Sequence, residues 1–122
     1  MSFDLLNDAG EGMSFSNTGW RHLLEFARAH GFRWPKQQNG EDADSLTSAA
    51  SREMAGAIEG GMGVGSAAEV AARVSDELTK LLVIRSTSAH FRQEPITLTP
   101  QSIEHWREFA AYARRGGFSI SF

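Results

Sequence analysis

The last five residues of the chain alternate apolar and polar side chains, directly after a Gly-Gly pair. In extended geometry Phe118, Ile120 and Phe122 all point to one face, because successive side chains of a strand point to opposite faces. A lone strand leaves its backbone groups without partners, and a two-stranded ribbon is only marginally stable. The segment therefore predicts a strand that pairs with another part of the chain and also lies on a hydrophobic layer.

The best partners for this strand are near the other terminus. Residues 3–6 and 13–16 flank a turn-prone segment, residues 8–12, which predicts an N-terminal hairpin that the tail joins as a third strand. An edge of this sheet that stays open would offer a site for dimerisation or for adding a strand of a partner.

The first helix is predicted over residues 18–30. Asn17 or Thr18 can cap its start, and Gly31 ends it, because glycine readily adopts the left-handed conformation common at helix ends. Its apolar side chains at helical spacing are Trp20, Leu23, Leu24, Phe26 and Ala27. Phe32 and Trp34 precede Pro35, and we expect both aromatics to fold back onto this helix as core residues.

A second helix is predicted to start near Asp44 or Ser45, after a polar loop at residues 36–42. Residues 59–65 contain four glycines, each of which costs a helix about 1 kcal/mol, and so predict a break. The apolar stripe of the second helix is Leu46, Ala49, Ala50, Met54, Ala57 and Ile58.

The third helix is predicted over residues 67–84, because Ser66 and Glu69 have the spacing of a capping box. Residues 85–97 lack a helical period and contain a proline, so they are predicted as loop, with a short extended piece at 89–92 or 96–98 as an open alternative.

Thr99 followed by Pro100 then starts a fourth helix that runs to about Arg115. Ile103, Trp106, Phe109, Ala110 and Ala113 share its inner face.

These elements predict one domain over residues 1–122, of the mainly α (α+β) class, with about four helices and a small antiparallel β element formed by the N- and C-terminal segments. A length of 122 residues suits one hydrophobic core, and a hydrophobic fraction of 41% is typical of a globular chain.

Charge and composition disfavour several classes of function. A formal net charge of -3 gives no excess positive field for nucleic acid or an anionic membrane, and the chain has no cysteine for disulfides or thiolate sites. No apolar run is long enough for a signal peptide or a membrane span. We expect a soluble, cytoplasmic protein.

Two kinds of ligand site are conceivable in the sequence but lack their usual context. The glycine-rich segment at residues 60–65 could cradle a phosphate, yet a helix rather than a strand precedes it and Ser66 stands where a P-loop has lysine. A flexible linker is the favoured interpretation.

The four histidines, His22, His30, His90 and His105, show no metal-ligand spacing. We expect His30 to form a hydrogen bond with a carbonyl or to interact with the helix dipole. No metal and no cofactor are predicted.

Two further groups favour structural roles. The acidic residues Glu41, Asp42 and Asp44 lack the register of a calcium loop and suit the start of a helix. The three tryptophans, Trp20, Trp34 and Trp106, could stack a ligand but are predicted to lie in the core.

The catalytic candidates, if the chain is an enzyme, are His105, Glu108 and Tyr112, which line one flank of the fourth helix. A Glu-oriented imidazole beside a phenol could act as a general acid or base. No nucleophile accompanies them, and such rows are commonly a solvated edge with modest hydrogen bonds.

The chain resembles a group of small, uncharacterised bacterial proteins. The resemblance rests on Gly19-Trp20, on Leu23-Leu24, on residues 41–43 and on the ending Arg115-Gly116-Gly117-Phe118. These motifs are structural, so the resemblance implies no activity and no site residue.

The lack of an assembled catalytic motif in a small acidic domain favours a non-enzymatic protein-interaction domain. An immunity or inhibitor-type protein that covers a toxin or an enzyme is one version, since it needs only a shaped acidic surface. The predicted partner is another protein or a second copy of the chain, with no nucleic acid and no membrane. The alternative is an enzyme or a small-ligand-binding protein whose pocket the sequence does not reveal.

Overall fold

The N-terminal segment forms the predicted hairpin. In the computed structural model, which describes residues 2–41, 43–85 and 96–121, strand β1 (Ser2–Asn7) pairs antiparallel with β2 (Gly12–Ser16). Asn7 holds the turn, because its Oδ1 accepts hydrogen bonds from the backbone N–H groups of Ala9 (3.1 Å) and Glu11 (2.8 Å).

Helix α1 (Asn17–Ala29) follows β2 without a loop, so the last residue of the strand also caps the helix. The hydroxyl of Ser16 accepts a hydrogen bond from the backbone N–H of Gly19 over 3.0 Å. The predicted cap, Asn17 or Thr18, is therefore wrong by one or two residues, since both already lie inside the helix.

A two-residue strand, β3 (Ser45–Leu46), stands where the second helix was predicted to begin. Helix α2 (Ser48–Met62) starts after it, capped by Thr47. These two residues form a strand rather than a helical turn because their backbone pairs with the neighbouring strand of the sheet. The strand also buries Leu46, which is 4% exposed. The predicted start near Asp44 or Ser45 is therefore wrong.

The acidic residues before α2 consequently do not lie in a helical first turn. Asp44 precedes β3 and its backbone carbonyl accepts a hydrogen bond from Ile120 N–H over 2.8 Å, while the Glu41 side chain is exposed. The prediction for Asp42 lies outside the described residues.

The glycine-rich segment breaks later than predicted, because α2 continues through Gly60 and Gly61 to Met62. A Cβ at Gly61 would lie 2.7 Å from Phe26 and 2.7 Å from His30 of the first helix and its cap, so glycine is what lets the two helices approach each other here. Packing of α1 against α2 therefore offsets the helix penalty of this glycine.

Helix α3 (Ala67–Arg85) and helix α4 (Pro100–Arg114) agree with the predicted third and fourth helices. Of the predicted loop, residues 86–95 lie outside the described part of the chain. Residues 96–98 do not form a strand, and instead Leu98 N–H donates to the Ser75 hydroxyl on α3 over 2.7 Å. The cap of α4 is Thr99, as predicted, with Pro100 in the first turn.

The C-terminal segment is an integral strand, as predicted. Strand β4 (Phe118–Ser121) pairs with β1 on one side and with β3 on the other, giving the antiparallel order β2-β1-β4-β3. Phe122 lies outside the described residues. The described residues thus form an α+β fold of four helices and a small sheet built partly from both terminal segments.

The sheet packs its inner face on α1 and α4 through aromatic side chains. The rings of Phe15 and Phe118 lie 5.5 and 5.7 Å from that of Phe109, and Trp20 lies 5.4 Å from Phe15. Helix α2 is joined to α4 by the buried hydroxyl of Ser51, which donates to the Ala113 carbonyl over 2.7 Å. Within the described ranges, no helix has both the length and the apolar composition to cross a membrane.

Candidate functional site

The catalytic candidates His105, Glu108 and Tyr112 all lie on α4, but their side chains do not form one cluster around a common point. Nδ1 of His105 lies 3.8 Å from the carboxylate of Glu108, which is itself 73% exposed. The other ring nitrogen, Nε2, lies 2.9 Å from the carbonyl oxygen of Ser14 in β2, and because a carbonyl only accepts, Nε2 donates.

The hydroxyl of Tyr112 is directed to the turn of the hairpin, where it donates to the Glu11 carbonyl over 3.0 Å. Burial raises the pKa of Tyr112 above its usual value, and the nearby Glu11 carboxylate adds to the rise. His105 and Tyr112 therefore both fasten α4 to the hairpin, at two different places along it.

The surface next to His105 is shallow and acidic. A depression of about 390 Å³ is lined by Pro100, Gln101, Glu104, His105 and Glu108. None of these five residues is buried, and the imidazole among them already binds the backbone of β2. The geometry of this depression suits a solvated edge of α4 better than a reaction site.

The edge strands of the sheet are β2, which has five residues, and β3, which has two. His105 binds the backbone of the edge strand β2, and β2 runs directly into α1 at Ser16. At the opposite edge β3 contributes two residues only. The β3 edge therefore offers little backbone for strand addition, and the β2 edge is partly occupied by the contact from α4.

Carbonyl groups of the glycine-rich segment accept hydrogen bonds from arginine side chains of α3 and α4. The guanidinium of Arg73 on α3 donates to the carbonyl oxygen of Met62, at the C-terminal end of α2. A cation at this end of a helix complements its partial negative charge. Residues 63–66 thus join α2 to α3, and the hydrogen bond from Arg73 holds the end of α2 next to α3.

The described histidines do not gather into a metal site. His22 and His30 lie on or just after α1 and His105 on α4, whereas His90 falls outside the described residues. In residues 2–41, 43–85 and 96–121, no three side chains of the metal-binding types form a group. Nδ1 of His30 lies 2.9 Å from the Phe26 carbonyl, which is the carbonyl contact that the sequence predicts.

Trp34 differs from the other two tryptophans because it is only partly buried. Trp20 and Trp106 are 4% and 2% exposed, and Phe32 is 3% exposed, as predicted for core residues. Trp34 instead packs on the edge of the core and lines a groove of about 400 Å³ beside α1.

We name this depression the Trp34 groove, defined by the partly buried apolar residues Phe3, Leu24, Trp34 and Ile120. Helix α1 supplies Leu24, the sheet supplies Phe3 and Ile120, and the loop after α1 supplies Trp34. Because four separate elements meet here, the groove exists only in the folded chain. It brings four large, partly exposed apolar side chains together in one depression.

Basic side chains line the groove and the depression that adjoins it, and we call Arg21, Arg28, Arg33 and Lys36 the basic flank. Arg21 and Arg28 line the groove itself, together with Glu25. A second depression of about 540 Å³, lined by Phe32, Arg33 and Lys36, shares Arg28 and Trp34 with the groove. The basic flank and the apolar groove are therefore one continuous surface.

The charge of this surface is opposite in sign to that of the whole chain. Residues 21–36 contain four basic residues and one acidic residue, whereas the rest of the chain contains eight basic and fourteen acidic residues. Arg28 lies 3.4 Å from Glu25. Among the described residues, Arg21, Arg33 and Lys36 form no ion pair with the protein, so their charges face solvent.

The sequence contained a signal for this site that the overall net charge conceals. A charge count over short segments separates residues 21–36 from the acidic remainder. The placement of Trp34 at the edge of the core, by contrast, depends on the fold, since Trp34 and Phe32 have similar sequence surroundings.

No protein-family model, no curated protein and no solved structure matches the chain. The resemblance to small bacterial proteins, carried by the Gly19-Trp20 and Gly117-Phe118 motifs, stays a prediction. The Trp34 groove and its basic flank are thus the features from which a function is inferred.

Proposed function

We propose that the chain is a non-enzymatic protein-interaction domain that binds a partner protein through the Trp34 groove. The observation that carries this proposal is the partial exposure of four large apolar side chains, Phe3, Leu24, Trp34 and Ile120, in one groove with a charged rim. Exposed apolar patches rimmed by polar residues are typical of protein interaction sites.

The rigidity of Trp34 supports this role. Its indole N–H donates to the Ala43 carbonyl over 2.7 Å, and its ring meets those of Trp20 and Phe32 edge-on at 5.9 and 6.2 Å. An aromatic side chain that is already fixed loses little conformational entropy on binding, and such residues are common among the energetically dominant ones of interfaces.

An immunity or inhibitor-type protein, acting in the cytoplasm on another protein, is one version of this proposal. The flank of the groove is basic, so the partner that suits it differs from the one that an acidic surface would attract. A second copy of the chain is the other protein partner considered, and neither nucleic acid nor a membrane is proposed.

The alternative, an enzyme or small-ligand binder that uses His105, Glu108 and Tyr112, has less support in the geometry. Nε2 of His105 and the hydroxyl of Tyr112 are each bound to a backbone carbonyl of the hairpin, and the depression beside them is shallow. These contacts favour a structural role for the three side chains.

Quantitative affinity capture from lysate of the native host tests the proposal. The bait proteins are the wild type, Trp34→Ala, Leu24→Glu and, as a matched control, Arg52→Glu on the exposed face of α2. We expect at least one protein to be captured by the wild type and by Arg52→Glu but lost with both groove variants, provided that all four baits give the same circular dichroism spectrum. Identical captures by all four folded baits would refute the proposal.

A further inference from the structure

We infer that the Trp34 groove receives an acidic peptide segment of its partner, with one large apolar side chain of that segment inserted between Leu24, Trp34 and Ile120. This inference rests on the proposed function and adds the chemistry of the partner. It is carried by the juxtaposition of the apolar groove with the basic flank.

The size of the groove sets the apolar part of the ligand. A volume of about 400 Å³, whose lining includes Trp34, Leu24 and Ile120, holds one large side chain together with the backbone beside it. The buried Trp20, which is 4% exposed, also lines the groove, so the inserted group meets aromatic as well as aliphatic side chains. An aromatic or long aliphatic side chain fits this lining, since burial of such a group is the main source of its binding energy.

The length of the basic flank sets the charged part. Arg21 and Arg28 are seven residues apart on α1, which corresponds to roughly 10 Å along the helix, and the basic side chains continue past it to Arg33 and Lys36. A small carboxylate would meet only one or two of these cations. An extended segment with several carboxylates meets the whole flank, and arginine pairs with carboxylates through two parallel hydrogen bonds.

Glu25 favours a peptide over a nucleic acid. It lies in the groove with Arg21 and Arg28, and 3.4 Å from the latter, so a continuous phosphate backbone placed along the flank would meet a carboxylate in its centre. Four cations with this carboxylate among them provide little of the counterion release on which nucleic-acid binding depends. A peptide can place an uncharged residue opposite Glu25 instead.

A random 16-residue peptide library displayed on phage tests this chemistry even while the partner is unidentified. Selection uses the wild type, the charge-reversed variant Arg28→Glu/Arg33→Glu, and the control Arg52→Glu. We expect the wild type and the control to enrich peptides with an aromatic or long aliphatic residue flanked by Asp and Glu, and the charge-reversed variant to lose this enrichment.

The most enriched peptide is then titrated into isotope-labelled protein, beside a single-stranded oligothymidylate of 16 nucleotides. We expect the peptide to shift the indole resonance of Trp34 and the amide of Ile120, with affinity falling about tenfold or more between low and high salt. Enrichment of uncharged or basic peptides, no enrichment at all, or tighter binding of the oligonucleotide would overturn the inference.

The two proposals fail in different ways. If the groove variants lose captured proteins but the selected peptides are not acidic, the interaction site stands and the chemistry of its partner is wrong. If Trp34→Ala and Leu24→Glu keep every captured protein, the interaction site itself is wrong.

Discussion

The indole N–H of Trp34 donates a hydrogen bond to the carbonyl oxygen of Ala43 over 2.7 Å, across nine residues of chain. This contact closes the loop after α1 and holds the indole against the edge of the core. The same loop ends in β3, so the contact links the groove to the sheet. The position of Trp34 is thus fixed by the fold before any partner binds.

Trp20→Ala is expected to cost about 3 to 5 kcal/mol of unfolding free energy, because the indole is 4% exposed and its removal leaves a cavity between the sheet, α1 and α4. Urea denaturation followed by circular dichroism measures the cost. Trp34→Ala is the matched variant and should cost less, since its indole is only partly buried. A Trp20→Ala protein that unfolds at the wild-type midpoint would show that the core assignment is wrong.

Neighbouring glycines of α2 should respond oppositely to alanine. Gly60→Ala should stabilise the protein by about 0.5 to 1 kcal/mol, because a Cβ there meets no atom within 4 Å and alanine is the better helix former. Gly61→Ala should destabilise it by about 1 to 3 kcal/mol, since the new Cβ lies 2.7 Å from Phe26 and from His30.

Neither neighbour of Gly61 can move away at little cost. Phe26 is fully buried, and His30 is held by contacts of 2.9 Å to the Phe26 carbonyl and 3.2 Å to the Glu77 carboxylate. Paired thermal melts of the two alanine variants provide the comparison. Equal melting temperatures for Gly60→Ala and Gly61→Ala would mean that α1 and α2 do not approach as closely as described.

Deletion of residues 118–122 should unfold the protein or lower its melting temperature by well over about 10 °C. Strand β4 lies between β1 and β3, and its Phe118 is 2% exposed against Phe109, so the deletion removes a central strand and part of the core. Hydrogen exchange at β1 is the second readout. A truncated chain that keeps wild-type protection at Leu5 would contradict the sheet order.

The stability of the protein should depend on pH through His22. Burial, followed by the charge of Arg21, lowers the pKa of His22 below its ordinary value of 6.5. Below 6.5 the unfolded chain therefore binds this proton more readily than the folded chain, and stability is lost as the pH falls from 6.5 through the folded pKa. His22→Gln should remove part of this loss, measured as the difference between the unfolding free energies at about pH 7.5 and about pH 5. Parallel pH profiles for wild type and variant would contradict the assignment.

Local capping and stop signals predicted most of the fold. Thr99-Pro100, the Ser66/Glu69 spacing and the alternation after Gly117 each act within a few residues, so the sequence alone identified α3, α4 and β4. Gly117 shows where this locality ends. Its position just after α4 is a local stop signal. A Cβ there, however, would overlap the carbonyl oxygen of Leu46, so the need for glycine comes from a contact between distant parts of the chain.

The errors arose where a long-range contact overrode the local preference. Strand β3 forms because its backbone pairs with that of β4, and α2 continues through Gly61 because α1 packs against it. The groove was missed for the same reason, since its four apolar residues come from distant segments. Only the basic flank of the site can be predicted from the sequence, because Arg and Lys are in local excess within residues 21–36.

Site-specific photo-crosslinking in living host cells tests most directly whether the groove is a protein interaction site. A photoreactive benzoylphenylalanine replaces Asn17, an exposed residue that lines the groove, and in a control protein it replaces the exposed Ala72 on α3. We expect a discrete crosslinked protein from position 17, absent from position 72 and lost when Trp34→Ala is added to the first protein. The same crosslinked products from both positions, or none from position 17 in a folded protein, would contradict it.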